Sequence, residues 1–318
     1  MKFQKIKRKV YTFIKNPQIL PVKILYKISP LLNDEYYLKL LFPLKTNYKL
    51  DLSNPKTYNE KLQWLKLYYR KPIMTQIVDK YDAKDFAKEI IGDEHIIESY
   101  GVWDSFDQIN FDSLPDKFVL KTTHDQGGVI VVNNKNDFNK KIAKKKIENH
   151  LKFEHYYLTR EWPYKNVKPR VMAEALLVND KVGDLYDYKF LCFHGEPKVM
   201  YIAHGRNAGK CRFDFFDMNF NRLNVESTNY PKSELIFSRP ESWNLMKDLA
   251  YKLSQDFPHV RVDFYNIDGK VYFGELTFYT HGGMFPFNQQ NWDYAFGSWI
   301  NLEGVKKELN WKDINEDC

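Results

Sequence analysis

The segment spanning residues 261–283, R-V-D-F-Y-N-I-D-G-K-V-Y-F-G-E-L-T-F-Y-T-H-G-G, constrains the chain most. Two runs rich in β-branched and aromatic residues flank Asp268-Gly269, which predicts a β-hairpin. Arg261, Asp263 and Glu275 interrupt runs that otherwise suit a sheet interior. Ionised side chains stay buried only with partners. A two-residue loop would set Asp263 opposite Gly274 and turn Glu275 to the other face, because side chains alternate along a strand. A three-residue loop over 267–269, with Gly269 left-handed in a bulge, restores the parity, so the expectation is that Asp263 and Glu275 share one face with Arg261 beside them. Two chemistries meet that arrangement. One is Mg²⁺ held by two carboxylates and phosphate oxygens, with the Arg gripping a phosphoryl oxygen. The other is a self-contained Arg–Asp–Glu network on a buried sheet.

At 318 residues the chain exceeds one ordinary core and predicts two or three packed subdomains. Hydrophobic residues at 43% and aromatics at 16% exclude a disordered chain. A formal charge of +7 favours anionic partners. Lys is scattered, without the Arg and aromatic interleaving of a nucleic-acid surface, so nucleotide, anionic polymer and anionic lipid stand and nucleic acid does not. Cys192, Cys211 and Cys318 form no C-x-x-C pair and suit a reducing cytosol. Neither a membrane span nor a secretory signal is expected, which predicts a cytoplasmic protein. Within residues 1–32, Lys2, Lys5, Lys7, Arg8, Lys9 and Lys15 alternate with apolar residues. That pattern fits either a basic element on the inner face of an anionic membrane or the solvated face of an ordinary helix.

Along the chain, Thr57 and Glu60 have capping-box spacing ahead of Leu62, Leu65 and Tyr69. A second helix is predicted from 78 to 90, containing Asp79-Lys80-Tyr81 and ending near Gly92. Residues 109–114 read as a polar connection. A strand, the loop His124-Asp125-Gln126-Gly127-Gly128 and a second strand make a hairpin over 117–132, with Lys121 at the mouth of the loop. Such a tip suits covering phosphates, though it lacks the P-loop spacing, and a lone Gly-Gly favours a plain hairpin with an exposed Lys. A Lys-rich helix follows over 139–152. The apolar run 171–177 holds Glu174, Ala175, Leu176 and Leu177 and fits either the wall of an adenine pocket or a core strand. Residues 186–193 alternate as a strand with Asp187, Lys189 and Leu191 on one side. Arg206, Lys210 and Arg212 form a basic loop, for an anionic substrate or for solvent. The stretch 242–257 is an amphipathic helix with Leu245, Leu249 and Leu253 at successive i+4 steps, and the tail with Trp292, Phe296 and Trp299 is expected to pack back.

In their order, Asp79-Lys80, Lys121 before a glycine loop, Glu174 in an apolar run, Arg261-x-Asp263 and Glu275-x-Thr277 resemble the ATP-grasp superfamily. N-P-K-T-Y-N-E-K-L-Q-W-L-K at 54–66, D-Y-K-F from Asp187 and F-G-E-L-T-F at 273–278 resemble its TupA-like branch, associated with teichuronopeptide and capsular polysaccharide synthesis. The resemblance implies an α+β ATP-grasp fold: a mostly helical region 1–108, a lid subdomain 109–178 and a C-terminal subdomain 179–318 carrying a mixed or antiparallel sheet. It implies ATP and Mg²⁺ as cofactors. Lys80 and Lys121 would hold the α- and β-phosphates under the loop of His124, Gly127 and Gly128, while Glu174, Ala175, Leu176 and Leu177 would form the adenine-side hinge. Lys189 and Arg261 would grip the γ-phosphate, and Asp263 and Glu275 would ligate Mg²⁺. The superfamily commonly has Asn two places after the last Glu, where this chain has Thr277. The implied activity is carboxylate–amine ligation through an acyl-phosphate, joining an amine or amino acid to an acidic sugar of a surface polysaccharide, with Arg206, Lys210, Arg212 and His281 toward the substrate. A glycosyltransferase, which the absence of an Asp-x-Asp motif disfavours, and a non-catalytic nucleotide-binding protein are the alternatives.

Overall fold

The computed structural model describes residues 19–179, 183–205, 209 and 211–305. The basic residues before position 19, Arg206, Lys210 and Cys318 lie outside them. Helices α1 (Ile19–Ile28), α2 (Asp34–Thr46), α3 (Tyr58–Tyr68), α4 (Ile73–Val78) and α5 (Asp82–Ile91) open the chain. The capping box forms as expected: Thr57 accepts from the Glu60 N–H, and Glu60 accepts from the Thr57 N–H at 3.0 Å. The second predicted helix is two, because Asp79 leaves helical geometry, caps the N–H groups of Tyr81 and Asp82 and starts α5 afresh.

Two sheets follow. The first has the order β1-β4-β2-β3, with β1 (Ser99–Trp103), β2 (Phe118–Thr122), β3 (Val129–Val132) and β4 (Val171–Ala175), and α6 (Lys140–Leu151) covers it. Its core holds Phe118, Leu120, Ile147, Val171 and Ala173. Ile109, Phe111 and Leu114 are buried there too, so the stretch expected to be a polar connection supplies core residues through two 3-10 turns.

The second sheet is fully antiparallel, in the order β7-β6-β5-β8-β9: β5 (Asp187–Phe193), β6 (Glu196–His204), β7 (Arg212–Asp217), β8 (His259–Ile267) and β9 (Lys270–Thr277). Helix α7 (Trp243–Ser254) packs on one face of it. The buried stripe of α7 is Trp243, Met246, Leu249, Ala250 and Leu253, while Leu245, expected on that stripe, is 40% exposed. Phe190, Val262, Phe264 and Leu276 meet α7 from the sheet. Helix α8 (Gln290–Ser298) folds back on α3, with Phe296 against Tyr58, as expected of the tail.

The central hairpin keeps the expected parity by another device. Its loop is the two residues Asp268 and Gly269, both left-handed (φ 51° and 83°), and the pairing runs regularly back to Phe264↔Phe273. The register then shifts, so that Asp263 pairs with Glu275 and Gly274 is the extra residue of a bulge. A Cβ on Gly274 would lie 3.1 Å from the Asp263 carbonyl oxygen, so a bare backbone allows the close approach. Phe273 and Leu276 can therefore both enter the core while Glu275 and Thr277 face away from it.

Candidate active site

Strand pairing lays one row of side chains across the whole second sheet: Phe215, Tyr201, Lys189, Asp263 and Glu275 are successive register partners on β7, β6, β5, β8 and β9. Directly paired residues share a face. The neighbouring row adds Leu191, Arg261 and Thr277. This face lines a cleft of about 580 Å³, within the usual range for a small-molecule site.

The row is an ion-pair network. Lys189 Nζ lies 2.7 Å from Asp187 Oδ2 and also bonds Asp263 Oδ2. Arg261 Nε donates to Asp263 Oδ1 at 2.6 Å. One terminal nitrogen of Arg261 donates to Asp263 Oδ2 at 2.7 Å and to Glu275 Oε1 at 2.6 Å. Desolvation pushes Asp263 up to about 6, against the pull of Arg261 and Lys189. Desolvation would raise Glu275 as well, but Arg261, Lys189 and Lys80 outweigh it and hold this carboxyl well below the usual range. Arg261 is held above its ordinary value: burial opposes the charge, and Asp263 overcomes it.

The other wall comes from the first sheet. Glu174 on β4 pairs with Lys121 Nζ at 2.6 Å and with Lys84 Nζ on α5 at 2.8 Å. Burial would raise Glu174, and the two lysines bring it below its ordinary value. Ala175, Leu176 and Leu177 continue this wall, with Val119, Val129 and Val131 making it apolar. Lys80 joins the cleft just before α5 and is tied to the glycine loop, its ammonium bonding the Asp125 carbonyl. Burial and neighbouring Lys121 lower it.

The structure thus gathers Lys80, Lys121, Glu174, Ala175, Leu176, Leu177, Lys189, Arg261, Asp263, Glu275, Thr277 and His281 around one cleft. It does not bring the whole glycine loop there: of residues 124–128, Gln126 lines the cleft. His124 is buried with Nε2 toward the Phe153 carbonyl, Gly127 packs under His150, and Gly128 donates its N–H to Asp125. Arg212 turns its guanidinium to the Lys232 carbonyl at 2.8 Å.

A model of the family described as TupA-like ATP-grasp matches residues 60–301. The chain belongs to the TupA-like ATP-grasp family. No curated protein sequence matches it. Among solved structures it is similar to D-alanine–D-alanine ligase from Bacillus anthracis complexed with ATP, at 14% identity over 61% of this chain and 52% of that one, TM-score 0.34. It therefore spans about half the length of that relative. It is also similar to the ligases of the same name from Helicobacter pylori (17% identity, 79% and 69% covered, TM-score 0.39) and again from Bacillus anthracis (16%, 82% and 76%, TM-score 0.40).

Within this TupA-like ATP-grasp chain, the donor set fits a metal only when a nucleotide completes it. The described residues hold no group of three or more His, Cys, Asp or Glu that could cage an ion. Two facing carboxylates on one sheet face, with phosphates and waters for the remaining positions, is the way Mg²⁺ is usually bound. Thr277 Oγ1 lies 3.2 Å from Glu275 Oε1, close enough to orient it.

Sequence reasoning missed Lys84, Asp187 and Tyr201. Asp187 stood in a quoted motif and carried a signal. Lys84 and Tyr201 carried none, because their place depends on the pairing of strands far apart in sequence.

Proposed function

We propose that the chain is an ATP-dependent carboxylate–amine ligase acting through an acyl-phosphate, with an acidic sugar of a surface polysaccharide as the carboxylate. The reading rests on one observation above all: Lys189, Arg261, Asp263 and Glu275 converge on one sheet face at the floor of a cleft whose other wall is apolar and carries Lys80 and Lys121. Ala175, Leu176 and Leu177 border the adenine, and Lys80 and Lys121 hold the α- and β-phosphates. Lys189 and Arg261 meet the γ-phosphate, while Asp263 and Glu275 hold Mg²⁺. The metal supplies charge neutralisation on the phosphoryl group.

A carboxylate oxygen of the substrate attacks the γ-phosphorus, and the bond to the ADP oxygen breaks. The amine nitrogen then attacks the acyl carbon, phosphate leaves and the amine loses a proton. The protein places its cations where negative charge accumulates, and no protein nucleophile is required. Residues 1–32 would contact an anionic inner membrane face: Leu20, Ile24 and Ile28 form an exposed stripe on α1 beside Lys23 and Lys27. No helix among the described residues is long and apolar enough to cross a membrane. Co-sedimentation with phosphatidylglycerol vesicles tests the contact, and indifference to that lipid would remove it.

Release of ADP and phosphate on mixing ATP with acidic sugars and amino acids, with hydroxylamine capturing the intermediate as a hydroxamate, tests the chemistry. Release of UDP or GDP from a sugar nucleotide would point to glycosyl transfer.

A further inference from the structure

The 54–66 motif has no place in the nucleotide site, yet its helix reaches the cleft through a turn. His281 (φ 53°, ψ 36°), Gly282 (φ 64°, ψ 25°) and Gly283 (φ 65°) are successive left-handed residues, a conformation that persists only where the surroundings impose it. Helix α3 imposes it. Lys66 Nζ, fully buried, donates to the Gly282 carbonyl at 2.5 Å, the Thr159 carbonyl at 2.7 Å and Gln63 Oε1 at 2.9 Å. Gln63 Nε2 donates to the Gly283 carbonyl at 2.5 Å, and Asn59 accepts from the Phe285 N–H at 2.7 Å. A side chain at 282 would meet Thr159 at 2.7 Å, and one at 283 would meet Leu62 at 2.9 Å.

This strapping presents the His281 ring to the cleft, against Phe213, Tyr230 and Phe285. Phe213 and Tyr230 stack with centroids 4.2 Å apart. Beside them stands Tyr201, the register partner of Lys189, 1% exposed and with no hydrogen-bond partner for its hydroxyl among the described residues. Buried hydroxyls without partners are rare and call for one. Burial, with Arg261 and Lys189 nearby, pushes His281 down to about 3, so its imidazole is neutral. A phenol and a neutral imidazole each donate and accept, which is what a hydroxyl needs and a carboxylate does not.

We propose that Tyr201 and His281 form a subsite for the hydroxyl groups of a polyhydroxylated carboxylate, such as a uronic acid, whose carboxylate lies beside Lys189 and Arg261, with Gln63 and Lys66 as positioning residues. This rests on the ligase reading and assigns the residues that would recognise the hydroxyls of its acidic sugar. A site built to bond substrate hydroxyls rejects the analogue lacking them by up to about 10⁴–10⁵-fold, because its polar groups are left unpaired.

The test uses the full chain with Mg-ATP and hydroxylamine, so that the amine need not be known. Glucuronate, galacturonate and UDP-glucuronate are compared with cyclohexanecarboxylate and alanine by hydroxamate formation. At least one uronate is expected to exceed cyclohexanecarboxylate more than 100-fold in kcat/KM. Tyr201→Phe and His281→Gln should each narrow that ratio at least tenfold while leaving KM for ATP within twofold. Lys66→Met, with its fold checked by circular dichroism, should raise KM for the uronate and not for ATP. If alanine or cyclohexanecarboxylate works as well as every uronate, the subsite and the acidic-sugar substrate fall together while acyl-phosphate ligation stands; if only the two cleft variants keep the wild-type ratio, the subsite alone is wrong. If no acid yields a hydroxamate, both fall. Equal rises in KM for ATP and uronate in Lys66→Met would reduce the α3 strap to a purely structural role.

Discussion

Asp263 and Glu275 face each other across β8 and β9, and a single nitrogen of Arg261 bridges them, 2.7 Å from Asp263 Oδ2 and 2.6 Å from Glu275 Oε1. The two acids differ in surroundings: the Asp263 side chain is 2% exposed, whereas that of Glu275 is 41% exposed to the cleft. Replacing Asp263 by Ala leaves Lys189 and Arg261 short of their counter-charge in a buried place, which costs about 3–5 kcal/mol. Glu275→Ala should cost much less stability. Both should lower ATP turnover on the order of 10²-fold or more if they hold the metal and phosphoryl charge. Urea melts beside ADP-release assays separate the two effects, and a Glu275→Ala protein with full turnover would remove that residue from the site.

Because both Asp263 oxygens are engaged by Lys189 and Arg261, Mg²⁺ without nucleotide has to compete with two cations. Titration calorimetry should register no Mg²⁺ binding to the free protein at millimolar concentration, and tighter ATP binding when Mg²⁺ is present. Strong binding of Mg²⁺ alone would contradict this.

Gly274 is the residue that lets Phe273 and Glu275 take opposite faces. Deleting it leaves them adjacent in a regular strand, where alternation alone keeps them on opposite faces. Phe273 then keeps its burial, worth about 1.5–3 kcal/mol, and Glu275 stays paired with Asp263. The deletion variant should therefore keep its nucleotide binding and its melting temperature, measured by calorimetry and a melting curve; loss of ATP binding with the fold intact would mean that the bulge itself shapes the site.

Burial lowers Lys66 to about 7, with Glu161 and Asp34 pulling it back up. A base whose folded value is depressed binds fewer protons folded than unfolded between that value and its ordinary one. Its contribution therefore makes stability rise with pH from about 7 to 10.5, by at most about 1.4 kcal/mol per pH unit, and flat below 7. The difference in unfolding free energy between wild type and Lys66→Met should drift in the wild type's favour across that window. No drift would show that the three oxygens around Nζ keep the ammonium charged as it is in water.

Much of this site was legible because its charges interrupt apolar strands. Arg261, Asp263, Glu275, Lys189 and Glu174 each stand where a period-2 pattern wants a hydrophobe, and a buried charge needs a reason. The loop that sets their parity was misread, since a two-residue turn with a bulge and a three-residue loop give the same alternation at Asp263 and Glu275. Tyr201 drew no reading, for nothing local says that β6 pairs with β5 so as to set it beside Lys189. Likewise, nothing local marked Lys66 as buried, because the carbonyls that hold it lie 93 and 216 residues away.

That separation orders events during synthesis. The ribosome emits Gln63 and Lys66 long before Gly282 and Gly283, so a growing chain holds a lysine whose last partner, the Gly282 carbonyl, does not yet exist. The far end of the cleft closes last, and no partly made copy can present a finished site to ATP.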